Sequence, residues 1–170
     1  MIAYILDTSV AAKWFLPPAG EPLAEESFRI LSAYSQGEVQ LSVPDLFWPE
    51  FGNVLWKAVR LGRISMESAG EAIASLLDLG IPTSPSAPLL PEAFSIAVSF
   101  ERNVGDAVYV ALAVASNRLL ITADERLANA LAAHFPVRWL GAVGLSLLSR
   151  SCWSCCPGLD FTDYPGVSCR

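Results

Sequence analysis

The chain has no cysteine in its first 151 residues; its four thiols, at 152, 155, 156 and 169, all fall in the last 19. No disulfide framework can hold the main core, which must fold by burial. Histidine is nearly absent as well. His134 is the only one, and its place near a helix end before Phe135-Pro136 suits a cap or surface group better than a catalytic base. No apolar run is long enough to span a bilayer: the longest, Ala107 to Ala115, has nine residues against the roughly 20 a spanning helix needs. The start, Met1-Ile-Ala-Tyr-Ile-Leu-Asp7, has no cationic leader and meets an acid at position 7, so it does not read as a secretory signal and a cytoplasmic protein is expected. Basic residues are scarce, 11 Lys and Arg against 17 Asp and Glu, for a net charge of −6. That balance excludes nucleic-acid binding by bulk charge, so a bound polyanion needs local cations or a metal.

What the chain does have is apolar bulk. At 170 residues, 53% of them hydrophobic, it is long enough for one core that buries roughly 70% of the surface of the unfolded chain. Such a share excludes general disorder and is high for a free-standing monomer, so part of the apolar surface is expected to meet a partner.

Residues 2–6 (Ile-Ala-Tyr-Ile-Leu) read as a strand buried on both faces, closed by Asp7-Thr-Ser as a helix cap. A short helix over 10–16 stops at Pro17-Pro18, and a longer one over 23–34 is ended by Gly37. A second strand at 41–43 leads at Pro44-Asp45 into a helix reaching about Leu61. That helix puts Phe47, Phe51, Val54, Leu55 and Ala58 on one side and lets Glu50 and Asn53 share a face. After Ser65 a helix runs through about Leu79, and a brief strand at 81–83 enters a Pro-rich connector over 82–91. Helices are predicted over 90–101 and 106–116, the second nearly all apolar and therefore central. A strand at 119–122, a helix at 124–134 and a strand at 137–140 complete the pattern. Strands alternating with helices make an α/β fold with a mainly parallel sheet. Past Leu148 the periodicity stops, so 1–148 reads as the domain and 149–170 as a Cys-containing, poorly ordered tail; its cysteine spacing matches no closed zinc site.

Four acids stand where such a sheet places its chemistry. Asp7 follows the first strand, Glu50 rides on a helix, Asp106 opens one, and Asp124 lies just past Leu119-Leu-Ile-Thr122. Open parallel sheets bind ligands beyond the carboxyl ends of their strands. Taken singly, Asp106 and Asp124 are also favoured N-caps and Glu50 an ordinary solvated helix residue; convergence is what would make them a site.

The surrounding residues occur in order as Asp7-Thr8-Ser9-Val10, Glu50-Phe-Gly-Asn53-Val-Leu55, Gly105-Asp106-Ala-Val-Tyr-Val-Ala-Leu112 and Thr122-Ala-Asp124-Glu-Arg-Leu127. This set resembles the PIN-domain family over residues 1 to about 147. The further match Val10-Ala-Ala-Lys-Trp-Phe15 is similar to its toxin branch, the VapC ribonucleases of VapBC toxin-antitoxin modules. The resemblance implies a three-layer α/β/α fold whose matching acids bind one or two Mg2+ or Mn2+ ions and cut RNA. It also implies a VapB-type antitoxin partner and a homodimer. The carboxylate chemistry agrees independently, because crowded acids raise one another's pKa and a hard divalent cation relieves the repulsion.

With that resemblance, Asp7 and Asp106 are the expected primary metal ligands, completed by Glu50 and Asp124 directly or through water. Ser9 and Thr122 match supporting hydroxyls, although satisfying backbone groups explains them equally well. Asn53 is a candidate to hold Glu50 or a water. Candidate phosphate contacts are Lys13, Lys57, Arg60, Arg63 and Arg126, against the plainer reading of a solvated helix face. Trp14, Phe15 and Trp48 are either base-stacking platforms or core residues. The segments 13–16 and 47–48 together are the candidate groove for an amphipathic antitoxin segment.

The rival from another class is a PIN-like protein-binding module with weak or no nuclease activity. A phosphatase of the haloacid-dehalogenase type and a receiver domain are disfavoured, the first because position 9 is Ser where a second Asp is needed, the second because no acidic pair ends strand one.

Overall fold

The structure is a computed structural model and describes residues 2–143. The boundary at 148, the tail and all four cysteines lie outside the described residues. Five strands form one sheet: β1 (Ile2–Leu6), β2 (Val39–Pro44), β3 (Thr83–Ser84), β4 (Leu119–Thr122) and β5 (Val137–Trp139). Their order is β3-β2-β1-β4-β5 and every pairing is parallel. The apolar runs expected of strands covered on both faces are there, with Ile5, Leu6, Leu120 and Ile121 fully buried.

Between the strands lie α1 (Thr8–Ala11), α2 (Ala24–Ser35), α3 (Phe47–Arg60), α4 (Met66–Asp78), α5 (Leu90–Phe100), α6 (Val104–Ser116) and α7 (Glu125–Leu131). Parallel crossovers are right-handed, so connections running toward β3 and those running toward β5 cover opposite faces, making three layers. Helix α6 packs on β1, β2 and β4, with α5 packed on it. Its residues Ala107 to Ala113 are all buried, as the apolar run predicts.

From β1 the chain moves to β2 and β3 on one side, then returns to β4 and β5 on the other. The reversal falls between β1 and β4, and open parallel sheets bind ligands in a crevice beyond the carboxyl ends of the strands at such a point. Leu6 pairs with Ile121, and the Asp7 amide extends the ladder by donating to the Ile121 carbonyl at 3.1 Å. Asp7 and Thr122 therefore leave the sheet side by side.

Several boundaries differ from the sequence expectation, each for a local reason. The first helix begins at Thr8 rather than 10, because Asp7 caps it, and it tightens into a 3-10 turn over Ala12–Trp14. Helix α3 starts at Phe47, not Asp45, since the sheet extends β2 through Pro44. The Asp45 carboxylate turns to the backbone amide and hydroxyl of Ser86 instead of capping α3. Helix α7 ends at Leu131, and His134 stands in the following turn against the Phe100 ring.

Candidate functional site

The loop leaving β1 sets Asp7 at the crevice. Its Oδ2 accepts from Ser9 Oγ at 2.9 Å and Thr122 Oγ1 at 2.5 Å, and its Oδ1 accepts from the Ser9 amide at 3.3 Å. Ser9 Oγ also accepts from the Ala123 amide at 3.0 Å, and Thr122 Oγ1 from the Asp124 amide at 3.0 Å. The two readings of these hydroxyls are therefore both realised: each orients the acid and satisfies a backbone N–H of the β4–α7 turn.

Glu50 sits in the first turn of α3. Its Oε2 is 2.5 Å from the hydroxyl of Tyr109 on α6 and 3.1 Å from Thr8 Oγ1, while those two hydroxyls are 2.7 Å apart. Tyr109 and Thr8 both donate to this oxygen, and their hydroxyls lie within hydrogen-bond distance of each other. Tyr109 is buried, and burial, the negative charge of Asp7 and its bond to Glu50 together raise its pKa, keeping the hydroxyl protonated as a donor. Thr8 and Tyr109 carry roles that reading the sequence missed. The usable signal is spacing: Tyr109 lies three residues beyond Asp106 on one helix, hence on its face.

Asp106 is the third residue of α6, not its cap. Asn103 takes that place, accepting from the Asp106 amide at 2.8 Å through Oδ1 and donating through Nδ2 to Asp106 Oδ2 at 2.5 Å. The cap reading thus fails for Asp106. It holds for Asp124, whose Oδ1 accepts from the amides of Arg126 at 2.8 Å and Leu127 at 3.1 Å. Gly105 leaves room beside the acids: a Cβ there would stand 3.0 Å from Asn103 Oδ1 and 3.4 Å from Glu50 Oε1.

The acids feel one another. Burial, then Asp7, Asp124 and Glu50 in that order, push the Asp106 carboxyl up to about 6. Burial raises Asp7, opposed by the Thr122 and Ser9 hydrogen bonds and reinforced by Asp124; burial likewise raises Glu50, against its Tyr109 and Thr8 bonds. Among the described residues, protein donors are concentrated on one oxygen of each acid. Glu50 Oε1, Asp106 Oδ1 and Asp124 Oδ2 accept no hydrogen bond, and Asp7 Oδ1 accepts only the long one from Ser9. No fully buried side-chain oxygen or nitrogen among those residues lacks a partner, so the free oxygens of half-buried Glu50 and Asp106 open to solvent.

An all-oxygen donor set suits Mg2+ or Mn2+. No three His, Cys, Asp or Glu side chains among the described residues are grouped closely enough to hold a metal ion by themselves. Such an ion fits these residues as one held by one or two carboxylates, with the others reaching it through water, a common arrangement for Mg2+.

The other candidates divide. Lys13 is only 7% exposed and donates to Glu21 Oε2 at 3.3 Å, while Arg63 binds Glu21 Oε1 at 2.5 Å. Both are committed to that carboxylate rather than displayed as phosphate contacts. Lys57, Arg60 and Arg126 are exposed. Asn53 is exposed and makes no hydrogen bond to Glu50, whose partners are Thr8 and Tyr109. Trp14 is buried with its indole N–H on the Ser27 carbonyl, Phe15 packs edge-on against Phe51, and Trp48 donates to Thr83 at 3.0 Å. Trp14 and Phe47 are core residues, and Phe15 and Trp48 are partly buried against that core.

Comparison with known proteins gives the family and the fold. Residues 4–131 match the PIN domain. The chain is 32% identical over 127 residues to Ribonuclease VapC3 of Pyrobaculum aerophilum, covering 74% of this chain and 92% of that protein. A solved structure, PAE2754 from Pyrobaculum aerophilum, superposes with a TM-score of 0.63 at 24% identity, covering 86% of this chain and 89% of the other, a likeness of fold.

Proposed function

Because this chain belongs to the PIN domain family, we propose that it is a divalent-cation-dependent endoribonuclease, the toxin of a type II toxin-antitoxin pair. It hydrolyses RNA phosphodiester bonds in the cytoplasm and is held in check by a VapB-type antitoxin, with a second copy of the chain as a further partner. What supports this reading is that four acids from separate elements lie near enough at the sheet's reversal for Asp7, Asp124 and Glu50 each to act on the charge of Asp106, each acid having one oxygen pinned and the other left open or weakly engaged.

In this reading Asp7 and Asp106 would hold Mg2+ or Mn2+, and Glu50 and Asp124 would complete its surroundings directly or through water. When bound, the ion supplies a water acidified toward neutrality and offsets charge developing on the phosphate. Ser9 and Thr122 keep Asp7 from rotating, so its Oδ1 stays turned away from their two hydroxyl bonds. Thr8 and Tyr109 do the same for Glu50 and leave Oε1 open beside Gly105. Asn103 aligns Asp106 and fixes the start of α6 in one motif. Lys57, Arg60 and Arg126 are the cations left to meet phosphate, Lys13 and Arg63 being taken by Glu21.

One observation favours the rival, a PIN-like protein-binding module: no three acids already stand as a closed ligand group among the described residues. Metal titration separates the two, since a binding module need not take up Mg2+ or Mn2+. The decisive experiment expresses the chain with Asp7 or Asp106 intact or changed to Asn and maps new RNA ends in the cell. New ends are expected only with both acids intact, with helical signal preserved in the variants; cleavage at wild-type level by Asp7→Asn or Asp106→Asn would remove the assignment.

A further inference from the structure

The far end of α3 carries a feature that the acids do not use. Trp56, Lys57, Arg60 and Leu61 line an open depression of about 220 Å³. The Trp56 side chain is 58% exposed, and the Arg60 guanidinium carbon lies 4.7 Å from the centroid of its ring. The two are four residues apart on one helix, the spacing at which side chains meet. Neither Lys57 nor Arg60 pairs with a carboxylate among the described residues, whereas Lys13, Arg29 and Arg63 are each tied to a glutamate. Arg102, Arg118, Arg126 and Arg138 also lack a carboxylate partner among the described residues; what sets Lys57 and Arg60 apart is the exposed indole of Trp56 beside them, with Arg60 over one face of its ring.

Helical geometry links this depression to the acids. Glu50 and Lys57 are seven residues apart, two turns, so they share a face and are separated by roughly 10 Å along the axis. By the same spacing Asn53 and Arg60 lie together to one side of that line, Asn53 being exposed between the acid end and the cation end.

We infer that this depression is a subsite for single-stranded RNA, in which an unpaired base stacks on the Trp56–Arg60 pair while a neighbouring phosphate meets Lys57. The inference rests on the nuclease reading above and adds where the strand is gripped away from the cleavage point. A planar aromatic platform beside cations is the combination that binds unpaired nucleotides without reading their sequence. A duplex would keep its bases stacked on each other and out of reach of an indole on a helix surface. An acidic peptide would engage the cations but leave the indole face unused.

The test uses the full chain carrying Asp7→Asn, so that RNA is not consumed, and a fluorescent unstructured oligoribonucleotide followed by anisotropy at several salt concentrations. Trp56→Ala is expected to weaken binding roughly 5- to 150-fold, the range that loss of one stacked base implies. Trp56→Phe is expected to restore most of it. Lys57→Ala is expected to flatten the plot of log affinity against log salt by about 0.7, one phosphate contact on a single strand. Both positions are exposed on a helix, and far-UV circular dichroism checks that the fold persists. Should Trp56→Ala bind RNA like its parent while the Asp7-intact chain still cleaves RNA, the subsite is wrong and the nuclease reading stands. Unchanged RNA affinity together with loss of a co-purifying acidic protein would give the surface to that protein and overturn the inference. A chain that neither binds nor cuts RNA sinks both.

Discussion

Two hydroxyls shape the candidate site without being among its acids. Ser9 and Thr122 each donate to Asp7 Oδ2 and accept from a backbone N–H, so that one oxygen is fixed to the sheet edge itself. The cost of the arrangement falls on Asp106. Its carboxyl is raised from 3.8 to about 6 by burial first and then by the neighbouring acids. Between those pH values the folded chain retains a proton that the unfolded chain has released, so stability from this group is greatest below pH 3.8 and falls as pH rises through 6. Asp106→Asn is accordingly expected to be more stable than wild type at pH 7, by about 1 kcal/mol once solvent screening is allowed for, with the gain vanishing near pH 4. Denaturation midpoints across that range, measured with a chelator present, check this; parallel curves for the two proteins would contradict it.

At the scale of elements, the tie between the 17–23 loop and the end of α3 is the least expected feature. Glu21 binds Lys13 on one oxygen and Arg63 on the other. Burial pushes its carboxyl up, but Arg63 and Lys13 outweigh burial and hold it below the ordinary value. Its contribution is thus present above the ordinary glutamate range and is lost as pH falls through the depressed value. Glu21→Gln strands the buried Lys13 ammonium, and a loss of about 3 kcal/mol is expected, the low end for breaking a buried pair because Arg63 stays partly solvated. Adding Lys13→Met to that variant is expected to recover most of the loss in urea denaturation. No recovery would mean that Lys13 is not what the carboxylate stabilises. Helix α6 teaches a related lesson about boundaries. Asn103 and Asp106, three apart, form a reciprocal cap that is visible as a pattern in the chain, yet Asp106 taken alone reads as the cap.

For the molecule as a whole, apolar surface remains after the core is filled. Leu90, Phe94 and Val98 are 47%, 63% and 64% exposed at a spacing of four on α5, one stripe along its outer face. A second copy covering such a stripe is expected to make the isolated chain a dimer by light scattering, and Phe94→Lys to return it to a monomer. A wild-type chain that runs as a monodisperse monomer would count against this. No helix among the described residues is long and apolar enough to cross a membrane.

Reading along the chain was enough for the order and type of the main elements, which depend on near neighbours. The apolar runs at 2–6 and 119–122, the buried helix over 107–113 and the turn residues between them specify an alternating α/β pattern, because strand and helix periods are local properties. The four acids were legible as an ordered set for the same reason: each follows or begins an element. Whether a side chain is free was not legible. Lys13 and Arg63 look like phosphate contacts until folding brings both to Glu21, and Trp14 looks like a stacking platform until its indole N–H meets Ser27. Tyr109 gained its role only when folding placed its hydroxyl on a carboxylate 59 residues away in the chain. Commitment of a charge or a hydroxyl depends on what the sheet order carries to it from a distance, and in this protein that order, reversing between β1 and β4, decides which groups face the crevice.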